Sequence, residues 1–359
     1  MSIGARTLAL TRARVGRPAR VPGAAVLALA GLGVLAAAIV AAVAVGSVAV
    51  APGDTLGILL RAIGLPVHRT WSPEAETIVL ELRLPRVLSA VLVGGGLAVA
   101  GAAFQGLLRN PLADPYVLGT ASGAALGAAV AVLIPVRAVF LDLGLLNVLA
   151  FGGALASVAL VYRLGRGSGS FAPLTGLLLT GYAVGSMLAA GLAMTMFMSG
   201  SNLRQIFAFL LGGLEGSSWL QLGFAAPLIV GGSLAIMARA RVLNGLLLGE
   251  EAAAHLGVDV RRERAILLAL ASLVTAAAVA VAGLVGFIGL VAPHLVRLVV
   301  GPDARRVLPL AAILGAILLV LADLGARLLG EIPVGVVTAV VGAPFFLALL
   351  RGTRSAYEL

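Results

Sequence analysis

The sequence predicts an all-α, polytopic membrane protein, and three observations carry that expectation. The chain of 359 residues is 61% hydrophobic and only 11% charged, with a mean hydropathy of +1.12. A soluble domain carries about 25% charged residues. Uncharged runs recur at lengths that suit a bilayer core, which takes about 20 helical residues to cross. Finally, all 25 basic residues are arginines, scattered over many interspan segments as topology signals rather than gathered in one stripe. The net charge of +10 therefore does not imply nucleic acid. Cysteine is absent, which excludes disulfides, thiolate metal sites and cysteine nucleophiles.

Residues 1–23 hold five arginines and no acid, a basic tail ahead of the first span. Ala24 to Val50 has no charge and is too long for the apolar core of a signal peptide, so it reads as a first transmembrane helix. Residues 51–85 form a polar connection ending in Leu82-Arg83-Leu84-Pro85-Arg86. A glycine-rich span follows from Val87 to Leu108; small residues let helix backbones approach closely in lipid. After the turn Arg109 to Pro115 come spans from about Tyr116 to Ile134 and from about Leu143 to Tyr162. The run Phe171 to Leu203 suits one span with an extension, and Gly216 to Ala238 another.

The stretch from Asn244 to Gly301 is the most informative. Glu250 and Glu251 suit the start of a short helix, because acids are favoured at a helix N-terminus. Gly257 suits its end, and Asp259 suits an N-cap for the next helix. A short exposed helix pair between membrane spans needs a docking partner to explain it. Ala265 to Val300 is too long for one span and short for two, with break points at Gly283, Gly286, Gly289 and Pro293. Val307 to Arg327 and Ile332 to Leu350 complete the set. Threaded as ten spans, 18 of the 25 arginines lie inside, which puts the helix pair in the cytoplasm.

Catalytic patterns are missing. The three histidines, His68, His255 and His294, have no metal-binding spacing, and without lysine no phosphate-binding P-loop exists. Asp323 and Arg327 lie four apart on one helix face, either a structural pair at a span end or a functional intramembrane acid with its partner, the structural pair being favoured. Met187, Met194, Met196, Phe197 and Met198 cluster on and beyond the fifth span, either as core packing or as a soft lining for bulky cargo. An ion-coupled carrier, the competing class, predicts inverted repeats and a buried acid–base relay.

The motifs LRLPR at 82–86, AGAAFQGLLRNPLADPYVLG at 100–119, LGEEAAAHLGV at 248–258, GLVGFIGLVAPHLVRLVVGPDARR at 283–306, LADLGAR from 321 and IPVGVVTAVVGAPFFLALL to 350 resemble one family. It is that of the permease subunits of type II ABC importers, the FecCD-type permeases for iron-siderophores, haem and vitamin B12. The resemblance implies ten transmembrane helices over residues 24–351, both termini (1–23 and 352–359) in the cytoplasm, and the bacterial inner membrane as location. It implies two copies of the permease, two ATP-binding subunits carrying ATP and Mg, and an extracytoplasmic binding protein. No cofactor is expected on this chain, and no enzymatic activity. Residues 246–264 match the ATPase-coupling element, with Glu250, Glu251, His255, Leu256, Gly257 and Arg262 as contacts. Arg83, Arg86 and Arg327 match arginines that face the binding protein. Asn110 and Leu112, with Leu174 and Thr175, match the cytoplasmic gate. Ferric siderophore is the first expectation for cargo, ahead of cobalamin and haem.

Overall fold

A computed structural model describes residues 23–46, 48–134, 139–140, 143–165 and 174–357. The N-terminal arginines and the loop 166–173 lie outside the described residues, as do the side chains of Leu174, Thr175, Arg351 and Arg354. Apart from a two-residue antiparallel pair, β1 (Val139–Phe140) with β2 (Leu143–Gly144), the described regular structure is helical. Among the described residues, seven helices are long and apolar enough to cross a membrane, and three shorter apolar ones accompany them.

The first half comprises α1 (Ala24–Ala44), α2 (Pro52–Ala62), α3 (Pro73–Thr77), α4 (Leu84–Leu107), α5 (Thr120–Leu133), α6 (Leu145–Gly165) and α7 (Leu174–Met198). The second half comprises α8 (Leu203–Leu211), α9 (Trp219–Ala238), α10 (Ala240–Leu247), α11 (Glu250–His255), α12 (Val260–Ala282), α13 (Ile288–Val300), α14 (Ala304–Leu328) and α15 (Val334–Tyr357). Residues 352–357, expected to belong to a C-terminal tail, thus continue the backbone of α15.

Two sequence expectations change here. The connection before the second span is itself largely helical. Ser72 caps α3 by accepting from Ala75 N at 3.2 Å, and α3 runs through a π-helical turn, Ile78–Arg83, straight into α4. Pro85 has no N–H and its ring crowds the carbonyl four residues back, so the wider π turn immediately before it relieves that clash. The LRLPR motif therefore lies inside a helix, and its arginines diverge around the axis. The second change concerns Asp259. It does cap a helix, accepting from Arg262 N at 3.0 Å, but that helix is the span α12 itself. The short pair ahead of it is α10 with α11.

The over-long run 265–300 divides at Gly283–Phe287. Gly283 (φ 64°) and Phe287 (φ 68°) are both left-handed, which stops α12 and starts α13. Exposed backbone is costly in a membrane, and neighbours satisfy this segment. Leu284 N donates to Phe209 O at 3.3 Å, Gly213 N to Ala282 O at 2.9 Å, and Tyr116 Oη to Val285 O at 3.0 Å.

α4 is the central post. In its most apolar stretch 78% of residues are buried, against 17% for α1 and for α7, which lie at the periphery. It packs on α14, α12, α13 and α9. Approach is close enough that a Cβ on Gly101 would fall on the Gly289 carbonyl, and one on Gly94 on that of Gly315. Gly101→Ala should therefore destabilise the detergent-solubilised protein by about 1–3 kcal/mol through overpacking. Gly33→Ala, on an open face of α1, should be neutral or slightly stabilising. Thermal unfolding of the two variants side by side checks the contrast.

Candidate functional site

Two polar clusters sit at opposite ends of α4. At the end where α4 begins, Asp323 on α14 is buried between two guanidinium groups. Arg86 Nε lies 3.0 Å from its Oδ1 and 3.2 Å from its Oδ2, and Arg86 Nη2 lies 3.0 Å from Oδ1. Arg327 Nε is 3.1 Å from Oδ2, an ion pair angled so that no hydrogen bond forms. Arg86 Nη1 then reaches the half-exposed Glu331 at 3.3 Å. The expected Asp323–Arg327 pair is present, and Arg86 makes it a triad.

Arg327, together with Arg83, also holds the end of α1. The last carbonyls of a helix have no partner within it and carry its negative dipole end. Arg83 Nη1 donates to Val43 O at 3.0 Å and to Ala44 O at 2.9 Å, and its Nη2 donates to Val48 O. Arg327 Nη1 donates to Val45 O at 2.9 Å. Arg83 was expected to face an outside partner. Instead it is 7% exposed, because the π turn aims it at the otherwise unsatisfied end of a weakly buried helix. The Arg327 side chain is also buried, whereas Arg86 keeps partial access beside Glu331.

At the opposite end of α4, α10 and α11 form a ledge. Asn244 clamps α10 to the start of α14: its Nδ2 donates to Asp303 Oδ1 at 2.7 Å, and its Oδ1 accepts from Ala304 N at 2.8 Å. The Asn244 amide and then the Arg305 N–H hold the Asp303 carboxyl below its usual range. Arg239 Nε lies 3.2 Å from Glu263 Oε2, joining α9's end to α12. On α11 Ala253 is buried, while Glu251 and His255 are exposed, as are Leu256 and Gly257 after it and Arg262 on α12. Glu250 differs from the rest of the expected contact set, because it turns inward to Arg264 Nη1 at 3.0 Å. Leu248 and Leu256, 71% and 68% exposed, bracket α11 with apolar surface that water alone does not favour. Leu248 was not among the expected contacts; an exposed leucine cannot be told from a buried one in so apolar a sequence.

The turn after α4, expected from the sequence to be part of the gate, is tightly specified. Asn110 Oδ1 accepts from Leu112 N at 2.9 Å, and Asp114 Oδ1 accepts from Tyr116 N at 2.8 Å. Arg109 opens the turn in a left-handed conformation, φ 48°. Gln105, which the sequence reading passed over, ties this end of α4 to α13. Its Nε2 donates to Leu290 O at 3.2 Å, and its Oε1 accepts from Arg297 Nη1. A lone amide in an apolar span was the available signal. On α7, Tyr182 (78% exposed) and Phe197 (87%) face outward together with Met187, Met194 and Met198, so core packing does not account for the methionine cluster.

These features define a polytopic membrane protein with an exposed helical ledge at one end of α4 and a charged cluster at the other. The chain belongs to the FecCD transport family, which matches residues 34–352; these are permeases of type II ABC importers. The cobalamin import system permease protein BtuC of Halobacterium salinarum is 46% identical over 294 residues, covering 82% of this chain and 78% of that protein. The hemin transport system permease protein HmuU of Yersinia pestis is 42% identical over 305 residues, 82% of this chain and 90% of that one. A solved structure described as an inward-facing conformation of a metal-chelate type ABC transporter superposes with a TM-score of 0.77 at 28% identity, covering 92% of this chain and 99% of that one.

Two outcomes test the clusters. Asp323→Asn strips Arg327 of its carboxylate partner and leaves Arg86 only the half-exposed Glu331, and should cost about 3–5 kcal/mol of stability, read by thermal unfolding. Asp303 has a depressed folded-state pKa, so its contribution is present above the unfolded value and lost as pH falls through the folded one. Stability should therefore decline as pH drops below about 4, and Asp303→Asn should flatten that part of the profile in melts run across pH.

Proposed function

We propose that this chain is the membrane-spanning subunit of an ATP-driven importer for a tetrapyrrole-type metal chelate, with cobalamin as first candidate. Ten spans cross the bacterial inner membrane, the three shorter apolar helices α5, α13 and α15 included, with both termini in the cytoplasm. Two copies meet along the exposed faces of α7 and α15, where Tyr182, Met194, Phe197, Val340 and Val341 lie open on the single chain. ATP-binding subunits with their ATP and Mg dock on the cytoplasmic ledge, and an extracytoplasmic binding protein docks on the outer rim. The chain itself catalyses nothing and binds no cofactor. Cargo passes by alternating access, closed on the inside by Asn110 and Leu112 with Leu174 and Thr175.

The single observation that carries the importer reading is the ledge. A six-residue helix with a buried root and an exposed face framed by two leucines is a poor solvent surface and a good socket plug. On the outer rim, docking centres on Arg86. Its Nη1 partner Glu331 is half-exposed, so an incoming carboxylate can take its place. Arg83 and Arg327 act from behind, by fixing the end of α1 and Asp323. The relatives reported above name cobalamin and haem, which moves the cargo away from the ferric siderophore that the sequence placed first.

Reconstitution with its ATPase and binding protein should give ATP-dependent uptake of cyanocobalamin, with hemin and a ferric siderophore competing weakly. Uptake that persists with a hydrolysis-dead ATPase overturns the importer reading, and preferential uptake of either competitor overturns only the cargo.

A further inference from the structure

The ledge and the gate turn meet through one carboxylate oxygen. Glu250 Oε1 lies 3.0 Å from Arg264 Nη1 on α12 and 3.7 Å from Arg109 Nη2 at the head of the gate turn. We propose that Glu250 is a positioning residue that joins the ATPase-docking helix α11 to the Asn110–Leu112 turn, so that displacement of α11 is passed to the gate through Arg109. This deepens the importer reading and rests on it.

The two sides of the junction are unlike. The Arg264 side chain is 6% exposed, and its bond to Glu250 is a fixed anchor. Arg109 is 42% exposed and its contact is longer, the geometry of a contact that can open and close. As a stability element an exposed pair of this kind contributes only about 0–1 kcal/mol. Its effect on position is larger, because Glu250 is the negative charge between two guanidiniums. Without it Arg109 and Arg264, which lie within electrostatic reach of each other, repel. Loss of the carboxylate therefore drives the gate turn away from the ledge instead of merely loosening it.

Arg109 is also stiffly connected to the gate. A non-glycine residue at φ 48° is strained and persists only where its surroundings hold it. Asn110 N donates to Gln105 O at 3.1 Å, Ala113 N to Asn110 O at 3.1 Å, and the Asn110 side chain closes on Leu112 N. Movement at the Arg109 guanidinium thus reaches Leu112 through hydrogen-bonded backbone and not through a slack loop.

The test replaces only the gate partner. Arg109→Gln leaves the Glu250–Arg264 anchor intact, so cargo moved per ATP hydrolysed in proteoliposomes should fall about fivefold or more, in the range of a typical coupling energy. Arg109→Lys should restore most of it. Because the chain has no cysteine, spin labels at Leu112→Cys and Leu256→Cys report the junction without background. Their distance distribution in the permease alone, in nanodiscs, should broaden and lengthen with Arg109→Gln and with Glu250→Gln. An unchanged ratio together with an unchanged distribution overturns the proposal. Parent uptake that does not depend on ATP overturns the importer reading instead, and the label distances still decide the Glu250 junction.

Discussion

In hydrocarbon no water is available to satisfy a broken helix, so every interruption in this chain must find its hydrogen bonds in protein. That constraint explains where the polar residues are. The end of α1 is completed by Arg83 and Arg327. The break between α12 and α13 is completed by Phe209, Gly213 and Tyr116. The turn between α4 and α5 is completed by Asn110 and Asp114 acting on their own backbone. The first two repairs draw on elements distant in sequence, so these breaks lock the bundle together as firmly as the apolar contacts do.

The arginines then follow from electrostatics. A buried guanidinium without a partner is far too costly, so each buried one is fixed by carbonyls, a carboxylate or an amide. Arg83 uses helix-end carbonyls, Arg86 and Arg327 share Asp323, and Arg297 uses Gln105 and Ala102 O. Where such a network reaches the surface, at Glu331 and at Arg109, it keeps an exposed partner that can be exchanged or moved. The functional candidates are thus the exposed ends of otherwise structural networks.

Much of this was legible in the sequence. Span positions follow from uncharged length, the ends of α11 from Glu250 and Gly257, and the cap at Asp259 from its place before a polar helical turn. The paired acid at 323 was visible as an i, i+4 spacing, yet its second partner lies 237 residues away and no local pattern points to it. The direction of Arg83 depends on a π turn that widens the helix ahead of Pro85, and composition carries no trace of that extra residue per turn. Which face of α7 is open was hidden for a related reason: helices apolar all round have no amphipathic signal to separate neighbour from lipid. Gln105 was legible in principle, as the one amide in α4, but its importance lies in Arg297 and Leu290 on another helix.

The central position of α4 connects these findings to transport. Its outer end carries Arg86, its inner end carries Gln105 and the Arg109 turn, and glycine-mediated approach fixes its middle against α13 and α14. A rod buried on all sides bends little, because dense packing resists continuous deformation and favours rigid displacement between discrete arrangements. A displacement at either end of α4 is therefore felt along the whole rod, whereas α1 and α7 are open to their surroundings over most of their length. In the importer reading proposed above, energy supplied by another chain at α11 reaches the turn after α4 by a short mechanical route, the Glu250 carboxylate.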